Sequence, residues 1–197
     1  MNQPALPERT RQFISELQAA WVEIDRQTTA FQQSGGLSCP ANCGRCCARH
    51  TVEVSMPEML PLAADLWQRG EAEEYIAFLE NNPDEKVCVF YRPQPANREL
   101  GYCSVYQIRP SLCRLFGFAG RINKYGQRQL NACEVHKQIQ PEKAVANDQM
   151  PLFEQFYHRI SGLDAEFDWT PLPINQALLA ALKKIGFLLS FSSTSLR

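Results

Sequence analysis

Apolar residues recur along this chain at two different periods, and the changes of period mark where helix gives way to strand. Between 8 and 33, Phe13, Leu17, Trp21 and Ile24 step by three and four residues, with Ile14 and Phe31 on the same broad face. That spacing predicts one long amphipathic helix whose aromatic stripe packs into a core. "SGG" at 34–36 ends it, with glycine in the left-handed cap position. "HTVEV" alternates at period two and reads as a short strand. "SMPE" then opens a helix, because Ser55 and Glu58 have capping-box spacing and Pro57 suits a first turn. "EAEEYIAFLENN" predicts a further helix, its acids in the first turns where the helix dipole favours them.

The middle of the chain reads differently. "VCVFY" and "YCSVY" are β-rich and separated by "RPQPANRELG", which predicts a hairpin with a long connection. "RPSLCRLF" reads as a turn into a short helix, and "NKYGQRQL" as a turn between two short strands. From 141 onward the pattern is helical again: Phe153, Phe156, Tyr157 and Ile160 mark one helix, and Leu178, Leu179, Leu182, Ile185 and Leu189 the last. The expected fold is helix-dominated α+β in one domain, 1–197. A cysteine-rich, metal-organised middle (39–133) with small β-hairpins sits between helical flanks at 1–36 and 141–197.

Composition narrows the functional classes. The 197 residues are 45% apolar with a net charge of −1, which argues against a nucleic-acid or anionic-membrane partner. The longest apolar stretch, "ALLAALKKIGFLLSF", is interrupted by Lys183 and Lys184, so no membrane span is expected. The polar N-terminus shows no secretory signal, and a cytoplasmic location is expected. No P-loop, HExxH or GxSxG occurs.

Location decides how the eight cysteines read. In a reducing compartment, clustered thiols are metal ligands or redox centres more often than disulfides. "CPANCGRCC" carries Cys39, Cys43, Cys46 and Cys47; Cys88, Cys103, Cys113 and Cys133 follow singly. Thiolate suits zinc or iron–sulfur clusters. One close group plus remote single cysteines is nearer to ferredoxin-type ligation than to the paired knuckles of structural zinc, so the spacing narrowly favours an iron–sulfur cluster and leaves zinc open. Consecutive side chains diverge, so Cys46 and Cys47 are expected to serve two neighbouring centres or to leave one thiol free or bridging. For Cys88 and Cys133 the bland alternative is a small buried hydrophobe.

Charge supports the same picture. From 37 to 121 there are eight arginines and one lysine, Lys86. Arg45, Arg49, Arg109 and Arg114 lie close in sequence to cysteines, where guanidinium donors could face an anionic centre. His50 and His136 each follow a cysteine by three and rank as groups around the centre, while His158 belongs to a helix face.

The pattern Cys39, Cys43, Cys46 and Cys47, then Cys88, then "CSVYQIRPSLCR" with Cys103, Tyr106, Arg109, Pro110, Cys113 and Arg114, resembles the YkgJ-type cysteine-cluster family of zinc- or iron-chelating proteins. The resemblance covers roughly 39–121 and implies metal binding. A related arrangement in flagellin lysine methylases implies that an enzyme linked to iron–sulfur chemistry is one alternative. The residues thus predict a cytosolic protein that chelates an iron–sulfur cluster or zinc and acts in metal handling, redox or electron transfer, with a protein partner unidentified. The alternatives are an S-adenosylmethionine-dependent modification enzyme and a purely structural zinc module. Against radical chemistry, Arg45 stands before the third cysteine and no barrel-like βα repeat follows. Against a thioredoxin-type site, Cys43 and Cys46 lie outside any βαβ unit.

Overall fold

The computed structural model describes residues 5–48 and 52–192; Arg49 and His50 lie outside them. Helix α1 (Glu8–Gly35) buries Phe13, Leu17, Ala20, Trp21, Ile24, Thr28 and Phe31, and Gly36 caps it at φ 62°. The stripe is core packing, as its spacing predicts. Among the described residues six further helices follow: α2 (Leu60–Arg69), α3 (Ala72–Asn81), α4 (Ser111–Leu115), α5 (Glu134–Ile139), α6 (Phe153–Ser161) and α7 (Ile174–Ser192). The fold is helix-dominated α+β.

The core forms where α7 lies along α2 and α3 while α1 packs on α4 and α6. Leu178, Ala181, Leu182 and Ile185 of α7 are fully buried against Leu62, Ala63 and Leu66. Trp67 Nε1 donates to the Leu182 carbonyl at 2.9 Å. Gly186 lets that indole approach, since a Cβ there would stand 2.5 Å from Trp67 Cζ2. By length and composition Ile174–Phe191, with a mean hydropathy of 1.3, could cross a membrane. Lys183 and Lys184 interrupt it, and Lys183 pairs with Glu80 at 2.7 Å.

Three two-stranded antiparallel pairs complete the fold: β1 (Glu53–Ser55) with β6 (Pro171–Pro173), β2 (Tyr91–Gln94) with β3 (Asn97–Cys103), and β4 (Gly120–Ile122) with β5 (Arg128–Leu130). The β2–β3 hairpin is real but shifted. "RPQPANRELG" builds the strands rather than connecting them, with Pro95 and Ala96 at the turn and a register shift at Pro93/Gln94. Residues 87–90 form a bend and turn instead of a strand. Helix α5 carries too little periodicity to be foreseen, and 141–152 is largely turn rather than helix.

The capping box at Ser55 and Glu58 is formed, over a 3-10 turn at Met56–Met59 that leads into α2. Glu58 does more than cap. One carboxylate oxygen accepts from the Ser55 hydroxyl at 3.0 Å, and the other from the Ser111 backbone N–H at 3.1 Å, the first residue of α4. Ser111 Oγ in turn accepts from Trp21 Nε1 at 2.9 Å. A buried chain of hydrogen bonds therefore joins α1, the β1 end and α4. Glu58→Ala strands buried donors that each cost roughly 1–3 kcal/mol, so urea denaturation should show a loss of about 2–4 kcal/mol, while Glu58→Gln should lose less than half as much.

Candidate metal centre

All eight cysteines are free thiols, and the fold sorts most of them into two neighbourhoods. The inner one is a partly open cavity of about 70 Å³ lined by Cys46, Cys47, Cys88, Cys103 and Cys113, with walls that are otherwise nearly all apolar and with Arg109 among its lining residues. Four separate segments supply these sulfurs, and each is held by hydrogen bonds or close packing. The loop 38–48 docks on the hairpin through Gly101 N–H to the Asn42 carbonyl, 3.0 Å, and a bridge between Cys43 and Gly101. Asn42 (φ 57°) and Gly44 (φ 28°) both take left-handed backbone, which curls the loop. The turn bearing Cys88 is fixed by Asn175 at the start of α7. Its amide donates to the Glu85 and Val87 carbonyls, both at 2.8 Å, and accepts from Val89 N–H at 3.1 Å. Cys103 ends β3, and Cys113 rides on α4, whose start Glu58 holds.

Cys46 and Cys47 do not diverge. Their sulfurs stand 3.9 Å apart, close to the about 3.8 Å expected between two sulfurs on one tetrahedral ion. The loop turns over 44–48, with Cys47 N–H and Ala48 N–H both bonded to the Gly44 carbonyl, and that turn swings successive side chains to one side. Hydrogen-bonding contact with Cys47 lowers Cys46 and Cys103 to about 7 each. Cys47 itself is raised by those same contacts with Cys103 and Cys46. Burial pushes Cys88 up to about 11 and Cys113 higher than an ordinary thiol.

The second neighbourhood is smaller, about 40 Å³, lined by Cys39, Cys43, Cys46, Cys133, Glu134 and Arg45 among others. His136, only 1% exposed, stands beside it with Nε2 at 3.8 Å from Cys39 Sγ and Nδ1 at 3.2 Å from the Gly117 carbonyl. Cys133 caps α5, its sulfur accepting from His136 N–H at 3.4 Å. Contact with Cys133 and then Cys39 raises the imidazole to about 10. Burial raises Cys43; it also opposes ionisation of Cys133, but the His136 contacts outweigh it there and leave that thiol lowered. Among the described residues, no group of three or more histidine, cysteine, aspartate or glutamate side chains stands as a finished metal site. The donors are gathered rather than converged, and their chemistry, sulfur plus one imidazole, fits zinc or iron.

A family model described as "CxxCxxCC: Putative zinc- or iron-chelating domain" matches residues 38–149, more than half of the chain. The chain belongs to that family. Comparison with curated proteins and with solved structures finds no match. The CxxCxxCC region accounts for all eight cysteines and for His136, and it gives the chain a zinc- or iron-chelating domain.

Within this CxxCxxCC domain the arginines divide. Arg109 faces the sulfurs and favours ionisation of Cys46, Cys103 and Cys113, while stacking 3.7 Å over the Tyr106 ring. Arg45 lines the smaller cavity. Arg114 engages elsewhere: Asp25, the Gln107 carbonyl and, at 2.9 Å, the Arg109 carbonyl, with the guanidinium 4.7 Å over Trp21. It latches the 107–109 turn to α1, and so positions Arg109. The residue missed for this region is Asn175, a polar residue in the first turn of α7, which nothing in its local pattern ties to Cys88. A larger cavity of about 620 Å³ shares Cys88 with the inner one and is lined by Tyr75, Phe78, Tyr91, Arg92, Glu74 and Glu85.

A Cβ on Gly44 would meet Tyr91 Cε2 at 2.6 Å and the Gly101 carbonyl oxygen at 2.8 Å, whereas one on Gly70 (φ 74°) would meet nothing. Gly70→Ala should therefore cost only the left-handed penalty, about 1–2 kcal/mol. Gly44→Ala should cost measurably more in chemical denaturation and lower the metal bound per chain.

Proposed function

We propose that this chain is a cytosolic iron–sulfur protein whose cluster sits in the inner cavity, held by sulfurs from among Cys46, Cys47, Cys88, Cys103 and Cys113, and that it acts in electron transfer or redox sensing. One observation carries the reading: five sulfurs from four segments line a single partly open, apolar cavity of about 70 Å³. A zinc ion is closed by four donors around one atom. A site for one water needs roughly 10–15 Å³, so this cavity suits a group of several atoms better than a lone ion. An apolar wall and one fixed guanidinium, that of Arg109, are also the means by which a protein sets a cluster's potential. If zinc occupied the cavity instead, the metal would contribute folding energy and no redox chemistry.

A second reading, an S-adenosylmethionine-dependent modification enzyme, draws on the cavity of about 620 Å³ that shares Cys88. That volume lies within the range of small-molecule sites, about 300–1,000 Å³, and its aromatic and charged lining offers both stacking and ion pairing.

Anaerobic purification without a tag, followed by a visible spectrum and quantification of iron, sulfide and zinc per chain, tests the proposal. Broad visible absorption with matched iron and sulfide is expected, and Cys88→Ser or Cys113→Ser should reduce both severalfold. Bound zinc with neither iron nor sulfide, after anaerobic reconstitution, overturns it. Titration of the same sample with S-adenosylmethionine decides the second reading: a saturable spectral change abolished by Tyr75→Ala supports it, and an unchanged spectrum removes it.

A further inference from the structure

We infer that Cys39, Cys43, Cys133 and His136 form a second, separate centre for a single tetrahedral zinc ion, with imidazole as the fourth ligand. The two cavities share the wall formed by Cys46 and Phe116, but the four donors named here are not among those assigned to the inner one.

Three observations carry it. First, the donors come as two short pairs, Cys39-x3-Cys43 and Cys133-x2-His136, which is the paired-knuckle arrangement of structural zinc sites. Along the sequence the pairing is hidden, because Cys43 and Cys46 look like the natural couple. In the fold Cys39, Cys43 and Cys133 line one small cavity, and His136 reaches Cys39. Second, the separation of 3.8 Å between His136 Nε2 and Cys39 Sγ is near the about 3.6 Å edge that Zn–N and Zn–S bond lengths give for a tetrahedron.

Third, the imidazole is already oriented as a ligand. A carbonyl can only accept, so the contact of 3.2 Å between Nδ1 and the Gly117 oxygen places the proton on Nδ1. Nε2 then faces Cys39, so an ion that displaces its proton meets the lone pair on the sulfur side. Metal-ligating histidines are commonly held this way by a backbone carbonyl. Gly117 makes room for the ring, since its φ of 84° is left-handed and a Cβ there would stand 3.2 Å from His136 Cε1. Phe118 packs against the other side, with ring centroids 5.0 Å apart.

Glu134 also lines the cavity, but it pairs with Lys137 at 3.2 Å and is half exposed, so it is not needed as a ligand. The backbone is tied on both sides of the centre: Ser38 N–H donates to the Gln140 side chain at 3.2 Å, so the start of the cysteine loop and the end of α5 are held together.

Zinc X-ray absorption on the anaerobically purified full chain tests the assignment, with iron, sulfide and zinc measured on every sample. The expected shell is three sulfurs at about 2.3 Å and one nitrogen at about 2.0 Å. His136→Ala and Cys133→Ser should each lower retained zinc at least tenfold after dialysis against a chelator, with iron and sulfide unchanged, and His158→Ala should retain it. His136→Cys keeps the test valid should His136→Ala fail to fold: it should hold zinc in a shell of four sulfurs. Full zinc retention in His136→Ala, or a wild-type shell without nitrogen, overturns the centre. Loss of iron and sulfide from the wild type would instead count against the inner cluster alone.

Discussion

The carboxyl of Glu58 is where the helical core meets the cysteine-bearing middle. It accepts from Ser55 on one side and from the first N–H of α4 on the other, and Trp21 of α1 closes the chain through Ser111. Without it, α4 would be a five-residue helix resting on the packing of Leu112, Cys113 and Leu115 alone, too short to be stable by propensity. Cys113 and Arg114 both ride on that helix. The same logic recurs at Asn175, which holds the Cys88 turn, and at Gly101, on which the cysteine loop docks. Irregular backbone near a core must find partners for its polar groups, and here one side chain or one close contact from an ordered element supplies them at each position.

That scaffolding gathers groups that would otherwise repel one another. Thiols buried in an apolar cavity resist ionisation, which is why burial raises Cys88 to about 11 and holds Cys113 well above an ordinary thiol. Cys46 and Cys103 go the other way, to about 7, chiefly through hydrogen-bonding contact with Cys47. Thiols grouped this closely are an arrangement a cation can take over, since a metal ligates the thiolate. Metal uptake therefore displaces protons, and the affinity gained is folding free energy. Among the described residues Arg109 contributes the guanidinium in the wall, and Arg114 keeps it there by holding the turn it belongs to.

Much of this was legible in the sequence. The stripe of α1, the capping box at Ser55 and Glu58, and the helix over 71–82 follow from side-chain period and cap chemistry, which are local. The cysteine motif was specific enough to indicate the family. What local reading could not reach was grouping. Cys46 and Cys47 share a cavity because a turn over 44–48 folds them to one side, and Cys43 faces Cys133 rather than serving only its sequence neighbours. His136 looked like an accessory to the cysteines, since a histidine three residues from a cysteine says nothing about which carbonyl orients its ring. Asn175 left no signal at all. Each miss is a contact between segments tens of residues apart, which periodicity does not encode.

The division into two centres also gives the order of the chain a physical meaning. Cys46, Cys47, Cys88, Cys103 and Cys113 all lie between Cys43 and Cys133 in sequence. An ion bridging Cys39 and Cys43 to Cys133 and His136 would close a loop of about 90 residues, and clips that close long loops remove the most entropy from the unfolded chain. The outer centre would thus clasp the whole segment that supplies the inner one. It does so at the junction of the end of α1 with α5, over the small core of Phe31, Leu37, Phe118, Met150 and Leu152. Small cores bury too little to hold such a junction alone. A structural ion at that point would secure the geometry of the inner sulfurs without taking part in their chemistry, and would let the inner cavity keep thiols in an apolar wall.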